Sequence, residues 1–186
     1  DTGNIMGITN EEREIINEAK KCSKNVIVLI NSTNVMEIKS LANDDDIDAI
    51  LWIGFPGAYG FLGVADILNG TVSPSARLGD IYATNGAVAP AMQNFGDDTP
   101  WANNESDFVQ GANVNTYLVE AEGIYQGYRY YETRYADIVN NVANASAAKA
   151  GQYCTADGKV ATADGTWSYN NEVVYPFGYG LSYTTF

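Results

Sequence analysis

The run Val26-Ile27-Val28-Leu29-Ile30 constrains this chain more than any other feature. It is continuously apolar, and four of its five residues are β-branched. A strand with one wet face would alternate in polarity, so an unbroken run belongs to a strand covered on both faces of a parallel sheet. Asp48-Ala49-Ile50-Leu51-Trp52-Ile53 repeats the pattern. Ahead of the first run, Thr9-Asn10-Glu11-Glu12 reads as a capping box. Ile15, Ile16, Ala19 and Cys22 then share a helical face, and Lys20, Lys21 and Lys24 suit the negative end of the dipole. Asn31-Ser32-Thr33-Asn34 ends the first strand and can cap a short helix running through Leu41. After the second strand, residues 54–60 read as a loop. Phe61, Leu62, Val64, Ala65, Ile67 and Leu68 then form a helix too apolar for a surface position. Asn69-Gly70 stops it, Ser73-Pro74-Ser75 turns the chain, and residues 78–83 read as a weaker strand. Helices alternating with strands imply a parallel sheet with right-handed crossovers and helices on both faces. The expected class is therefore α/β, a three-layer α/β/α sandwich with a mostly parallel sheet.

The second half changes character. Residues 84–116 are rich in Asn, Gly, Asp and Ala and read as one long loop, a length that is usually functional or packed against something. Residues 117–135 are dense in tyrosine, and residues 137–150 could form a polar, Ala-rich helix. Thr155-Ala156-Asp157-Gly158 recurs as Thr162-Ala163-Asp164-Gly165, which suggests a β-hairpin over 153–169. The C-terminal segment from Tyr175 is Tyr-rich and expected to be partly β. At 186 residues the whole reads as a single domain, or a portion of one.

Charge and composition then exclude function classes. With 10 basic against 23 acidic residues the net charge is −13, which argues against nucleic acid and against anionic lipid. No apolar run approaches the ~18 residues of a membrane span. The absence of histidine removes Ser-His-Asp and Cys-His mechanisms and every His-ligated metal site. Cys22 and Cys154 match no metal spacing; they read as two unpaired, buried or half-buried thiols, with a disulfide open if they meet in space. Asp1-Thr2-Gly3-Asn4 has neither a basic stretch nor an apolar core, so no secretory leader is expected at this end. Without an initial Met the chain reads as a mature product or a fragment, from outside the cell or the cytoplasm.

Several clusters invite chemistry, each with a plainer reading beside it. Asp44-Asp45-Asp46 with Asp48 has the odd-position carboxylates of a calcium loop, but Ala49 stands at the obligatory Gly and Phe55 at the bidentate acid. A solvated acidic turn fits better, and no metal site is expected. Gly54, Gly57 and Gly60 lack nucleotide-loop spacing and suit a tight strand-to-helix turn around Pro56. A nucleotide cofactor is therefore disfavoured, and no cofactor is expected. Asn31–Asn34 and the 54–60 loop should lie together at the carboxyl edge of adjacent parallel strands, where open α/β sheets bind ligands. Phe55 and Tyr59 could line a site there, or merely cover the sheet end. Trp101 could stack on a sugar or face an interface. Glu120, Glu122 and Glu132 could supply acid/base carboxylates for a sugar. Alternatively, Glu122 or Glu132 pairs with Arg129 or Arg134 under a cover of tyrosine rings.

Val26-Ile27-Val28-Leu29-Ile30-Asn31-Ser32, Asp48-Ala49-Ile50-Leu51-Trp52 with Pro56-Gly57, and Ala65-Asp66-Ile67-Leu68-Asn69-Gly70 with Ser73-Pro74-Ser75-Ala76-Arg77-Leu78 carry a resemblance. So do Glu122-Gly123-Ile124-Tyr125-Gln126-Gly127-Tyr128-Arg129-Tyr130-Tyr131 and Tyr175-Pro176-Phe177-Gly178-Tyr179-Gly180-Leu181-Ser182-Tyr183-Thr184. In order and rough spacing the chain resembles the C-terminal α/β sandwich domain of glycoside hydrolase family 3, a family of β-glucosidases, β-xylosidases and relatives, mostly retaining.

The resemblance implies that the nucleophilic Asp lies on a separate (β/α) barrel domain. It also implies that the acid/base Glu precedes the segment resembling Asn4-Ile5-Met6-Gly7-Ile8, so no catalytic residue is expected in this chain. The first sandwich strands would also be missing, leaving the sheet incomplete at its N-terminal side. Gly57-Ala58-Tyr59-Gly60-Phe61 stands where the family often has Gly-Gln-Glu-Gly-Gly, and Arg77-Leu78-Gly79-Asp80 where Lys-Leu-Pro-Val is common. The resemblance thus implies a portion of a retaining β-glycosidase, inactive alone, that walls the sugar pocket, with Phe55, Tyr59 and Trp101 as the candidates that the residue reading offers for contact with sugar. Its partners would be a β-glucoside or β-xyloside, the barrel, and the remaining sandwich strands. The alternative is a stand-alone carbohydrate-binding or structural α/β module.

Overall fold

The computed structural model describes residues 6–93, 122–140, 142 and 168–184. The chain divides into two compact units, residues 1–86 with 170–186, and residues 87–169.

In the first unit, helix α1 spans Asn10–Cys22. The capping box forms as expected: the Thr9 hydroxyl accepts from Glu12 N at 3.2 Å while Glu12 Oε2 accepts from Thr9 N at 2.8 Å. Strand β1 (Ile27–Ile30) pairs in parallel with β2 (Ala49–Trp52), in register Ile27 with Ala49 through Ile30 with Trp52. Helix α2 (Lys39–Ala42) lies in the crossover between them. Its N-cap is Ile38 without a side-chain cap, so Asn31–Asn34 does not start a helix. Instead Gly7 bridges Glu37 in parallel, and Glu37 N donates to Met6 O at 2.8 Å, which holds this stretch extended.

Helix α3 spans Gly57–Leu68. It begins earlier than the expected loop allows, so Tyr59 and Gly60 belong to its first turn. The glycine spacing has a steric reason: a Cβ on Gly60 would sit 2.7 Å from Pro56 Cβ. Strand β3 is only Tyr82–Ala83, and β4 is Val173–Tyr175. They pair with each other antiparallel, so the third expected strand leaves the parallel sheet and joins the C-terminal segment. Leu78 N donates to Tyr179 O at 2.8 Å and Gly178 N to Leu78 O at 2.9 Å, extending that closure beyond the ladder. The fold is nevertheless α/β as expected, helices with a small parallel sheet.

The core gathers Ile30, Ile38, Leu41 and Tyr82, with Val28, Ile50, Ile16 and Val174 against it. Parallel register places Val28, Ile30 and Ile50 on this covered face. Ile27 and Leu29, on the other face, are 47% and 38% exposed. The expectation of burial on both faces is therefore corrected: the described residues cover one. Helix α3 likewise has no buried residue, and Ile15 of α1 is exposed while Ile16 packs inward. Cys22 is an exposed free thiol rather than a buried one, and Cys154 lies outside the described residues.

Four short or displaced elements complete the description. A 3-10 turn (Gly86–Val88) and helix α4 (Pro90–Gln93) occupy the start of the stretch read as loop; residues 94–116 lie outside the described residues. Helix α5 spans Tyr128–Asn140, starting within the tyrosine-dense segment rather than at residue 137. Burying Tyr130, Tyr131, Arg134 and Asp137 on one helical face drives this shift, because spacing of three, four and seven fits a helix. Helix α6 is Tyr169–Glu172, while residues 151–167, most of the expected hairpin, are not described. Among the described residues no helix is long and apolar enough to cross a membrane.

Candidate functional site

Parallel pairing of β1 with β2 brings the segment after Ile30 and the segment after Trp52 to one edge of the sheet, as the strand order implies. The edge is organised by Trp52. Its Nε1 donates to Ser32 O at 2.6 Å, tying the end of β2 to the turn after β1. Ser32 Oγ in turn donates to Asn34 O at 3.0 Å, so the turn is closed on itself. Gly54 follows with φ of 56°, the left-handed region that glycine enters at least cost, and a Cβ there would touch the Trp52 ring at 3.6 Å.

A cavity of about 320 Å³ opens at this edge, lined by Met6, Thr33, Asn34, Trp52, Asp80 and Tyr82 among others. Tyr82 is 3% exposed and its hydroxyl makes no hydrogen bond among the described residues. Burial, and then the Asp80 carboxylate, push the Tyr82 phenol above its ordinary value, so it stays neutral and able to donate. Asp80 Oδ1 accepts from Ile81 N at 2.8 Å, which fixes the start of β3.

The expected site residues fall differently. Phe55 and Tyr59 are 74% and 82% exposed and are not among the residues lining this cavity. Trp101 lies outside the described residues, as does Glu120. Sequence reasoning brought the two turns to one edge, where the cavity opens, but did not single out its lining residues Trp52, Asp80 and Tyr82. Trp52 was legible as a ring ending a strand. Asp80 and Tyr82 carried no local signal, because they reach the edge through the antiparallel pairing of β3.

The carboxylates elsewhere have structural work. Asp44 is ion-paired with Lys20 and accepts from Asp46 N at 3.1 Å. Those contacts, Lys20 first, hold its carboxyl below the usual value. Asp48 accepts from Val26 N at 2.7 Å and Asn25 Nδ2 at 3.2 Å, and is lowered for that reason. The acidic run is thus a hydrogen-bonded turn that fastens the start of β2 to the start of β1. Among the described residues there is no cluster of three or more metal-binding side chains.

In the second unit the tyrosine cover exists. Tyr130 and Tyr131 meet edge to face, with centroids 5.0 Å apart. Arg134 Nη1 donates to the Tyr130 hydroxyl and its guanidinium lies 5.6 Å from the ring centroid. Arg129 lies over Tyr128 at 5.8 Å. Glu132 accepts from the Tyr169 hydroxyl. Burial and that bond push the Tyr169 phenol upward. Glu122 is buried, with Gln126 Nε2 at 3.4 Å from Oε1.

Known proteins are similar to this chain. The chain is 30% identical over 179 residues to beta-glucosidase A of Butyrivibrio fibrisolvens, a match covering 96% of this chain and 16% of that one. It is 35% identical over 79 residues to beta-xylosidase/alpha-L-arabinofuranosidase 1 of Medicago sativa subsp. varia, covering 42% of this chain and 10% of that one. The crystal structure of a beta-glucosidase from Paenibacillus barengoltzii superposes with a TM-score of 0.59 at 26% identity, covering 96% of this chain and 14% of that chain. This chain therefore spans about one-sixth of the length of its bacterial relative. Because residues 3–183 match the glycosyl hydrolase family 3 C-terminal domain, nearly end to end, the chain belongs to that family.

Proposed function

We propose that this chain is a C-terminal portion of a retaining β-glycosidase, a β-glucosidase, which removes terminal β-linked sugars from oligosaccharides or glycosides. The observation that carries the reading is the near-complete match of this chain to one-sixth or less of two β-glucosidases. A retaining mechanism needs two carboxyl groups about 5 Å apart across the sugar. Asp44, Asp48 and Glu132 are each engaged in contacts that hold turns or helices. The nucleophile and the acid/base then belong to the remainder of the parent protein, and this chain is inactive alone.

The role of the chain is to pack on the catalytic barrel and wall one side of the sugar pocket. Exposed Phe55 and Tyr59, at the edge where β2 passes into α3, and Trp101 remain the candidates for contact with sugar or barrel. The uncovered face of Ile27 and Leu29 and the apolar helix α3 supply surfaces for the missing sandwich strands. Residues 1–186 then form one portion of a single sandwich domain, with the stretches 84–116 and 153–169 as additions to it.

Hydrolysis of an aryl β-glucoside and an aryl β-xyloside tests this, using the purified chain with and without the rest of its parent. Turnover is expected only with the remainder, faster on the glucoside. Turnover by the chain alone would overturn the reading and turn attention to Glu120, Glu122 and Glu132.

A further inference from the structure

We propose that the cavity at the carboxyl ends of β1 and β2 binds a guanidinium group, stacked on the Trp52 indole and ion-paired with the Asp80 carboxylate. The inference goes beyond the glycosidase reading and does not rest on it.

Three observations converge on a cation. The first is a prepared ring. Trp52 is anchored through Nε1 to Ser32 O at 2.6 Å, yet the residue remains 43% exposed. An indole held by its polar edge offers its electron-rich face, and tryptophan attracts cations best among the aromatic residues. The second is an unanswered charge. Asp80 is the charged residue of the lining, and among the described residues it has no ion-pair partner. Its Oδ1 accepts from Ile81 N at 2.8 Å, which orients the carboxylate and leaves the second oxygen open. Arg77, the nearest basic residue in sequence, does not line the cavity, and its Nη1 donates to Ala76 O at 3.1 Å. The third is a buried hydroxyl in the wall, that of Tyr82, which makes no hydrogen bond among the described residues. Burial, and then the Asp80 carboxylate, push this phenol upward, so the negative field of Asp80 reaches the wall.

Hydrogen bonding and shape then choose among cations. Asp80, Asn34, Thr33 and Tyr82 all present side-chain oxygens that accept. A quaternary ammonium has no N–H to give them. A guanidinium carries five N–H donors and no acceptor, in a plane that stacks on an aromatic ring and meets a carboxylate through paired bonds. The cavity, about 320 Å³, lies at the lower end of the range for small-molecule sites, enough for this group and a few methylenes. Anions are repelled, because no basic side chain among the described residues lines the cavity beside Asp80.

The chain labelled with 5-fluorotryptophan should give one fluorine line for each of its three tryptophans, with the Trp52 line assigned by its loss in Trp52→Phe. N-acetyl-arginine amide should shift that line saturably. N-acetyl-citrulline amide, an uncharged molecule of the same shape, should leave it in place. Asp80→Asn keeps an acceptor for Ile81 N but removes the charge, and should weaken the arginine response about tenfold, as loss of one charge-assisted hydrogen bond implies. The proposal is overturned by a Trp52 line that the arginine compound does not move, or by an Asp80→Asn chain that responds unchanged. An equal response to the citrulline compound, which needs no variant, overturns it too. The same label in the parent protein separates two sources of the group. A Trp52 line that titrates there as in the chain assigns the cavity to a free guanidinium compound. A line that ignores added ligand, but that Asp80→Asn returns to its position in the unliganded chain, assigns it to an arginine side chain of the parent. A line in the parent moved by neither overturns the proposal.

Discussion

Gly180 shows how much one missing methyl group matters here. A Cβ on it would lie 2.7 Å from Ala76 O and 2.9 Å from Arg77 Cδ, closer than real carbon contacts allow. The C-terminal segment can therefore reach the 76–78 turn only with glycine at this point. Gly180→Ala should destabilise the chain by about 1–3 kcal/mol, the usual cost of forcing an atom into packed space. Gly63 is the control, since a Cβ there meets nothing within 4 Å and the residue lies inside α3. Gly63→Ala should be neutral or stabilising by up to about 1 kcal/mol. Thermal denaturation of both variants checks the pair, and equal midpoints would contradict the closure described.

Asp48 makes a prediction about pH. Its carboxylate is held below the usual value of 3.8 by Val26 N–H and then Asn25. A depressed carboxyl stabilises the fold above its unfolded value, and that stability is lost as pH falls through the folded one. Asp48→Asn keeps an acceptor for Val26 N–H but removes the titration. Its denaturation midpoint should fall less steeply than the parent's between about pH 5 and pH 2. An identical pH profile would mean that the Asp48 contacts do not form in solution.

At the scale of elements, local signals and packing divide the work. The capping box of α1 was readable because Thr9 and Glu12 satisfy each other within one turn, whatever surrounds them. Since α1 has no buried residue, its stability depends on such local terms more than on packing. Thr9→Ala should cost about 1 kcal/mol and loosen this helix first. Amide exchange should quicken in residues 10–13 ahead of β1, and uniform loss of protection would tell against a local role. Helix α5 was less readable, because its buried face mixes tyrosine with Arg134 and Asp137. A polarity pattern marks such charged positions as outside, yet Arg134 is 3% and Asp137 2% exposed.

Across the whole chain, apolar surface is left in contact with solvent. Phe61, Leu62 and Leu68 of α3 are 51%, 67% and 44% exposed, beside the open sheet residues Ile27 and Leu29 in the same unit. Exposed apolar surface on this scale favours association. The isolated chain should sediment as oligomers, and Phe61→Lys with Leu62→Lys should shift it toward monomer with unchanged helix content. A monomeric parent chain would contradict the proposal that a missing partner covers these faces.

The sequence by itself determined the α/β class, both parallel strands, the α1 cap and the edge that the turns after β1 and β2 share. Each of these is encoded by neighbours a few residues apart: an unbroken apolar run, a Thr and Glu three positions apart, a glycine beside a proline. Tertiary structure alone decided that residues 82–83 leave the parallel sheet to pair with 173–175, across some ninety residues. It alone brought Asp80 and Tyr82 to Trp52, and left Ile27 uncovered while burying Ile30. Those outcomes depend on which distant segment wins the free edge of a strand. Backbone hydrogen bonds are alike for every candidate partner, so side-chain packing makes the choice, and packing exists only once the chain has folded.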